Sequence, residues 1–145
     1  MTDFRIFYVD DDPEDLDVFA ETAMALGIEV IPINDPNELE TALRNAPPGL
    51  KVVFLDINMP GKNGYELLKD IRKSDTLGNL PLIAFSTGHD AVTIKKSWDF
   101  GADLFIRKGD SLKYYKEIFK QVKKIHWIGF TRDPKAFVLK VSVTD

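Results

Sequence analysis

Five polar residues stand at the ends of apolar segments of the chain. Asp10 and Asp11 directly follow the run "FRIFYV", and Asp56 ends the run "KVVFLD". Ser86 ends "LPLIAFS", and Lys108 ends "DLFIRK". Carboxylates that lie together repel one another unless a cation lies among them, and a hard divalent ion such as Mg²⁺ prefers oxygen ligands. A lysine ammonium and a serine hydroxyl nearby would bind a phosphoryl group, so the set is suited to phosphoryl transfer onto a carboxylate.

Five short apolar runs alternate with amphipathic segments, and this alternation predicts how the polar residues are positioned. Runs such as "VVFL" and "LIAF" are continuously apolar, as expected of parallel strands covered on both faces. The segments between them carry apolar residues at helical spacing and capping signals such as Asp12 before Pro13 or Asp35 before Pro36. The pattern predicts a doubly wound α/β sandwich with a five-stranded parallel sheet.

Pro32 selects the strand order. It lies inside the second apolar run, and proline in a sheet belongs on an edge strand. The second strand is an edge in the flavodoxin-like order 2-1-3-4-5 and interior in the Rossmann order, so the flavodoxin-like order is favoured. Ligands of such sheets bind outside the carboxyl ends of the strands, where the five polar residues are expected to converge.

Composition excludes several classes of protein. The 145 residues are enough for one domain, and the 44% hydrophobic and 29% charged fractions are typical of a soluble globular protein. A net charge of −4 argues against nucleic-acid binding, and the absence of cysteine excludes disulfides and thiolate sites. The sequence contains neither a signal peptide nor an apolar run of membrane-spanning length, so a cytoplasmic location and no membrane association are expected.

Four motifs together identify a family. The segments "YVDDDP", "VVFLDINMPGKNGYELL", "PLIAFST" and "GADLFIRK" occur in this order across roughly residues 4–124. In this the chain resembles the receiver domain of two-component response regulators. The resemblance implies that Asp56 is the phosphoacceptor, and that Asp10, Asp11, Asp56 and the backbone carbonyl of Asn58 bind Mg²⁺ or another divalent cation.

The resemblance also implies a switch. Ser86 would contact the phosphoryl group and shift on phosphorylation, Lys108 would pair with that group, and the ring of Phe105 would turn inward, remodelling the face formed by the fourth helix, fifth strand and fifth helix. The family usually carries proline after the lysine, in a cis peptide, whereas this chain has Gly109. A cis bond before a non-proline residue is costly, so a trans Lys108–Gly109 bond is expected, with glycine recovering the geometry through φ values closed to other residues.

The implied function is that of a single-domain receiver, residues 1–126, that takes a phosphoryl group from a histidine kinase or a histidine phosphotransfer protein. It would catalyse only its own phosphorylation and slow dephosphorylation, and its output would be altered binding to an unknown downstream protein. A monomer or weak dimer is expected. The alternatives are a phosphorylation-independent adaptor on the same fold and, ranked lower, a metal-dependent phosphohydrolase.

Residues 127–145 form a C-terminal extension. Within it, Phe137, Leu139, Val141 and Val143 alternate with more polar residues, which is the period of a strand. The extension is therefore expected to pack as an additional strand and to modulate the partner surface, or else to be partly disordered.

Overall fold

The computed structural model describes residues 4–58, 64–75, 77–109 and 111–142. The chain alternates strands and helices. The five strands are β1 (Phe4–Val9), β2 (Glu29–Ile33), β3 (Leu50–Asp56), β4 (Leu82–Ser86) and β5 (Leu104–Arg107). The five helices are α1 (Pro13–Ala25), α2 (Leu39–Asn45), α3 (Gly64–Lys73), α4 (Ala91–Asp99) and α5 (Leu112–Lys124). None of the described helices is long and apolar enough to cross a membrane.

The strands form one parallel sheet in the order β2-β1-β3-β4-β5, which confirms the predicted flavodoxin-like topology. Pro32 lies opposite Tyr8 on the edge strand β2. Because its missing N–H would interrupt an interior ladder, the edge position explains how proline is accommodated. The order places the carboxyl ends of β1 and β3 side by side at the switch point.

Two apolar layers cover the sheet. The helices α1 and α5 pack on one face through side chains such as Phe19 and Phe119. The helices α2, α3 and α4 cover the other face, through residues such as Leu39, Leu68 and the partly buried Ile94. Since the middle strands are buried on both sides, their continuous apolar runs are explained.

Side-chain caps fix where helices begin. Asp12 accepts a hydrogen bond from the N–H of Glu14 at 2.9 Å, which confirms it as the N-cap of α1. Asp35 caps a short 3₁₀ turn at Pro36–Glu38, and α2 begins only at Leu39. The sequence therefore located the N-cap at Asp35 correctly, but it did not predict that the first turn after the cap is a 3₁₀ turn.

The chain continues after α5 along the sheet. Trp127 is 6% exposed, lies in the α1–α5 layer and donates from Nε1 to the carbonyl of Val122 at 3.2 Å. Further on, Val138 forms a parallel bridge with Phe105 of β5. Val143 lies outside the described residues.

Candidate phosphoacceptor and cation site

The carboxyl ends of the strands bring the acidic residues together. Carboxylate oxygens of Asp10, Asp11 and Asp56 all lie within 4.8 Å of one another. Asp10 is fully buried and Asp56 is 5% exposed, whereas Asp11 faces solvent. Burying two ionised groups side by side is costly unless they are compensated, and an all-oxygen donor set at this spacing fits a divalent cation.

Lys108 supplies a positive charge to this cluster. Its Nζ lies 2.7 Å from Asp10 Oδ2, 3.5 Å from Asp56 Oδ2 and 3.3 Å from Asp15 Oδ2. The side chain is 9% exposed. Burial by itself lowers the pKa of the Lys108 ammonium, but the hydrogen bond with Asp10 and the charges of the carboxylates outweigh it, so the pKa is raised. The lysine therefore stays charged beside the carboxylates.

Three donors hold the carboxylate of Asp10. Its Oδ2 accepts from Lys108 and from the Tyr8 hydroxyl, and its Oδ1 accepts from the N–H of Asp12 at 3.0 Å. Burial favours the neutral acid, but these three donors outweigh it and hold the pKa of Asp10 below its ordinary value. Burial and the charge of Asp10 raise the pKa of Tyr8, so the phenol remains a donor.

Asp56 has the opposite electrostatic character. Burial raises its pKa to about 6, and the charge of Asp10 adds to this, although Lys108 opposes it. The Asn58 N–H donates to Asp56 Oδ1 at 3.1 Å, while Asp56 Oδ2 faces Lys108. At the start of α3, a Cβ on Gly64 would meet the carbonyl oxygen of Asp56 at 2.6 Å. Only glycine therefore lets the helix begin this close to Asp56.

Ser86 joins the same site from β4. Its hydroxyl oxygen accepts from Asn58 Nδ2 and from the N–H of Gly88, both at 3.1 Å. The main chain of Lys108 donates to the Ser86 carbonyl at 2.8 Å. The site thus gathers side chains from the carboxyl ends of β1, β3, β4 and β5.

Phe105 lies apart from these polar groups. Its side chain is fully buried in the layer formed by α2, α3 and α4, with its ring centroid 6.4 Å from that of Phe137. Phe105 is connected to the site through the main chain of β5, since Lys108 follows it by three residues. Its switching role stays a prediction.

Gly109 has a different reason for being glycine than the sequence suggested. The Lys108–Gly109 bond is trans, as predicted, but Gly109 does not adopt a positive φ. Instead, a Cβ at this position would lie 2.1 Å from a ring carbon of Tyr114. The Tyr114 hydroxyl donates to the carbonyl of Arg107, and that of Tyr115 donates to Gly109 at 3.0 Å. The glycine thus provides space for a tyrosine that closes the turn after β5.

Two contributors were missed from the sequence. Tyr8 lies inside an apolar strand, where the sequence indicates a core residue. Asp15 lies in the first turn of α1, where an acidic residue is explained by its stabilising effect on the helix. Tyr8 precedes Asp10 by two residues, so both side chains project from the same face of the strand. That spacing was the available signal for Tyr8, whereas only the fold brings Asp15 to Lys108.

The model of one known family covers this arrangement. Residues 6–120 match the family described as response regulator receiver domain. The chain belongs to this family. The matched residues include β2 to β5, all of β1 except Phe4 and Arg5, and the carboxylates, Ser86 and Lys108 of the site. Membership places the chain among two-component signalling proteins, as predicted.

Individual relatives and solved structures resemble this chain in sequence or in fold. Response regulator Rcp1 of Synechocystis is 28% identical over 91 residues, which are 61% of this chain and 60% of Rcp1. The chain thus spans less than two thirds of this curated relative.

Chemotaxis response regulator CheY4 of Vibrio cholerae superposes with a TM-score of 0.72 at 21% identity, over 83% of this chain and 99% of CheY4. A phosphorylated cyanobacterial phytochrome response regulator, RcpA, gives 0.70 at 28% identity, over 86% and 93% of the two chains. A Mn²⁺-bound form of Rcp1 gives 0.69 at 21%, over 89% and 98%.

Proposed function

We propose that this receiver domain accepts a phosphoryl group on Asp56 from a histidine kinase or a histidine phosphotransfer protein, and signals by altered protein binding. The observation that carries the proposal is the position of Lys108, whose ammonium lies between Asp10 and Asp56 in a cluster of three carboxylates. Acidic residues with no role beyond facing solvent would not be buried beside a lysine, because burying ionised groups is costly.

The proposed step is a displacement at phosphorus. An oxygen of ionised Asp56 forms a new P–O bond, the P–N bond to the donor histidine breaks, and the departing imidazole keeps the electron pair and takes up a proton. The Lys108 ammonium stabilises negative charge on the phosphoryl oxygens. The Ser86 hydroxyl and the Asn58 side chain, which are hydrogen-bonded to each other at 3.1 Å, would hydrogen-bond the transferred group.

A divalent cation, Mg²⁺ in this proposal, would be held by Asp10, Asp11, Asp56 and the Asn58 carbonyl, and would neutralise charge that develops during transfer. The spacing and the all-oxygen character of the carboxylates support it. The solved structure of Rcp1 is a Mn²⁺-bound form, and that of RcpA is phosphorylated.

The direct test is labelling with a small phosphodonor. Incubation with acetyl phosphate and Mg²⁺ should increase the intact mass by one phosphoryl group, and chelation of the metal should prevent it. Asp56→Asn should abolish labelling. The matched control is Asp12→Asn, which makes the same exchange at an exposed N-cap where asparagine serves equally well, and it should label like wild type.

Failure of the wild type to label, under conditions where another receiver domain labels, would contradict the proposal. The adaptor alternative makes a different prediction. It requires that binding to a partner is unchanged by Asp56→Asn and by removal of the metal.

A further inference from the structure

The edge of β5 is covered by the chain's own C-terminal segment. In the order β2-β1-β3-β4-β5, strand β5 ends the sheet and would present unpaired main-chain groups. The N–H of Phe105 instead donates to the carbonyl of Phe137, and the N–H of Leu139 donates to the carbonyl of Phe105, both at 2.9 Å. The segment therefore pairs as a short parallel strand.

Side chains of the segment fill a groove beside this edge. We call the surface formed by Trp98 of α4, Ala102 and Phe105 the β5 groove. Phe137 is 3% exposed and meets the Trp98 ring edge-on at a centroid distance of 5.2 Å. On the same indole, the guanidinium of Arg132 lies 3.7 Å from the ring centroid.

Arg132 also fixes the segment by hydrogen bonds. It donates from Nε to the carbonyl of Ala102 at 2.9 Å and from Nη2 to the carbonyl of Trp98. The Trp98 carbonyl, in the last turn of α4, also accepts from the N–H of Gly101 at 3.1 Å, and the Ala102 carbonyl lies in the connection to β5. The β5 groove thus recognises three things: an extended main chain, an aromatic side chain and a guanidinium five residues before it.

The segment buries few of its side chains. Of residues 131–142, Phe137 is buried, Arg132, Leu139 and Val141 are half-buried, and the others are exposed. Two main-chain hydrogen bonds join it to β5. Segments with few buried contacts open at low free energy, so this occupant can exchange with another of the same chemistry.

We propose that the β5 groove is a docking site for an extended protein segment carrying an arginine and an aromatic residue, and that Arg132–Leu139 occupies it in cis. Such segments bind sheet edges through main-chain hydrogen bonds, while side-chain pockets provide selectivity. A partner must compete with a tethered occupant, whose effective concentration is in the millimolar range for a short linker. Docking in this groove requires neither the cation nor phosphorylation of Asp56.

The test uses a fluorescent peptide with the sequence of Thr131–Ser142 and full-length chains. Phe137→Ala opens the groove by removing the aromatic anchor, and Leu139→Pro opens it by removing the N–H that bonds Phe105. Val138→Pro is the control, since the N–H of Val138 points away from β5 in this pairing. Fluorescence anisotropy should show at least tenfold tighter peptide binding to either opened variant than to wild type or the control.

Two further measurements make the result decisive. Hydrogen exchange at the Phe105 N–H should be faster in both opened variants, which verifies that the cis segment has left. A peptide carrying Phe137→Ala should lose its binding to them. If the Phe105 N–H exchanges faster but the peptide binds neither variant, or binds all four chains equally, the inference is overturned. Labelling of Asp56 in the same variants reports separately on the proposed function.

Discussion

Two buried carboxylates of the same site differ because of their individual hydrogen bonds. Asp10 accepts hydrogen bonds from Tyr8, Lys108 and the Asp12 N–H. Asp56 accepts one from the Asn58 N–H and lies further from Lys108. The pKa of Asp10 is accordingly lowered, and that of Asp56 is raised to about 6. The proposed acceptor is therefore the acid of the pair whose negative charge is less stabilised before a cation or phosphoryl group arrives.

This difference predicts how stability depends on pH. The pKa of Asp56 in the folded state lies above its ordinary value of 3.8, so the folded state binds this proton more tightly than the unfolded chain does. Ionised Asp56 consequently destabilises the metal-free protein above about pH 6, and this cost disappears as the pH falls toward 4. Asp56→Asn should raise the free energy of unfolding by about 1–3 kcal/mol at pH 7.5 in a chelator, because one pKa unit corresponds to about 1.4 kcal/mol.

Urea unfolding at pH 7.5 and at pH 4.5 measures both values. The gain from Asp56→Asn should shrink at the lower pH, while the control Asp12→Asn should change little at either pH. A gain that grows on acidification would contradict the assigned pKa.

At the scale of elements, Arg72 of α3 joins segments that flank β4 and β5. Its guanidinium donates to the carbonyls of Gly78, Leu80 and Gly101 at 2.9, 2.7 and 2.8 Å. It also donates to Asp103 at 2.8 Å, and the same Asp103 oxygen accepts from the N–H of Leu82. One planar group therefore ties the chain before β4 to the turn before β5.

Arg72→Lys should destabilise the fold despite keeping the charge. An ammonium lacks the planar set of donors and would leave several half-buried carbonyls without a partner, which costs about 2 kcal/mol. Chemical denaturation measures the change. The control is Arg44→Lys, at an exposed residue paired with Glu40, which should change stability by less than about 0.5 kcal/mol. Equal effects of the two substitutions would show that the Arg72 hydrogen bonds contribute no more to stability than the exposed Arg44–Glu40 pair does.

Elements were predictable from the sequence to the extent that their signals are local. The apolar runs located the strands, and Pro32 indicated the edge position of β2, because periodicity and proline geometry act within a few residues. The location of polar residues at the ends of predicted strands also indicated which carboxylates lie close together. The contact of Lys108 with Asp15 was not predictable, since it joins residues 93 apart through the packing of the whole fold. The fit of Gly109 against Tyr114 depends on a rotamer, which no pattern specifies.

At the scale of the whole molecule, the two sheet edges are protected differently. Pro32 on β2 removes a main-chain donor, which hinders pairing with another chain. The edge of β5 is instead covered by the C-terminal segment through Phe137 and Leu139. A proline protects its edge permanently, whereas a tethered segment protects it reversibly, and this difference makes β5 the edge suited to regulated binding.

The carboxylate cluster predicts that a divalent cation stabilises the entire fold. Three carboxylates meet within 4.8 Å in the folded chain, whereas the unfolded chain separates Asp11 from Asp56, so the cation binds the folded state preferentially. Above the dissociation constant, each tenfold increase in free Mg²⁺ should raise the free energy of unfolding by about 1.4 kcal/mol. Denaturant unfolding at increasing MgCl₂ and constant ionic strength measures this slope. Asp11→Asn should shift the rise to higher Mg²⁺ concentration, while Asp17→Asn, the same exchange at an exposed position of α1, should retain the wild-type curve. A wild-type curve that stays flat, or that both variants follow equally, would mean that the cluster does not bind the ion.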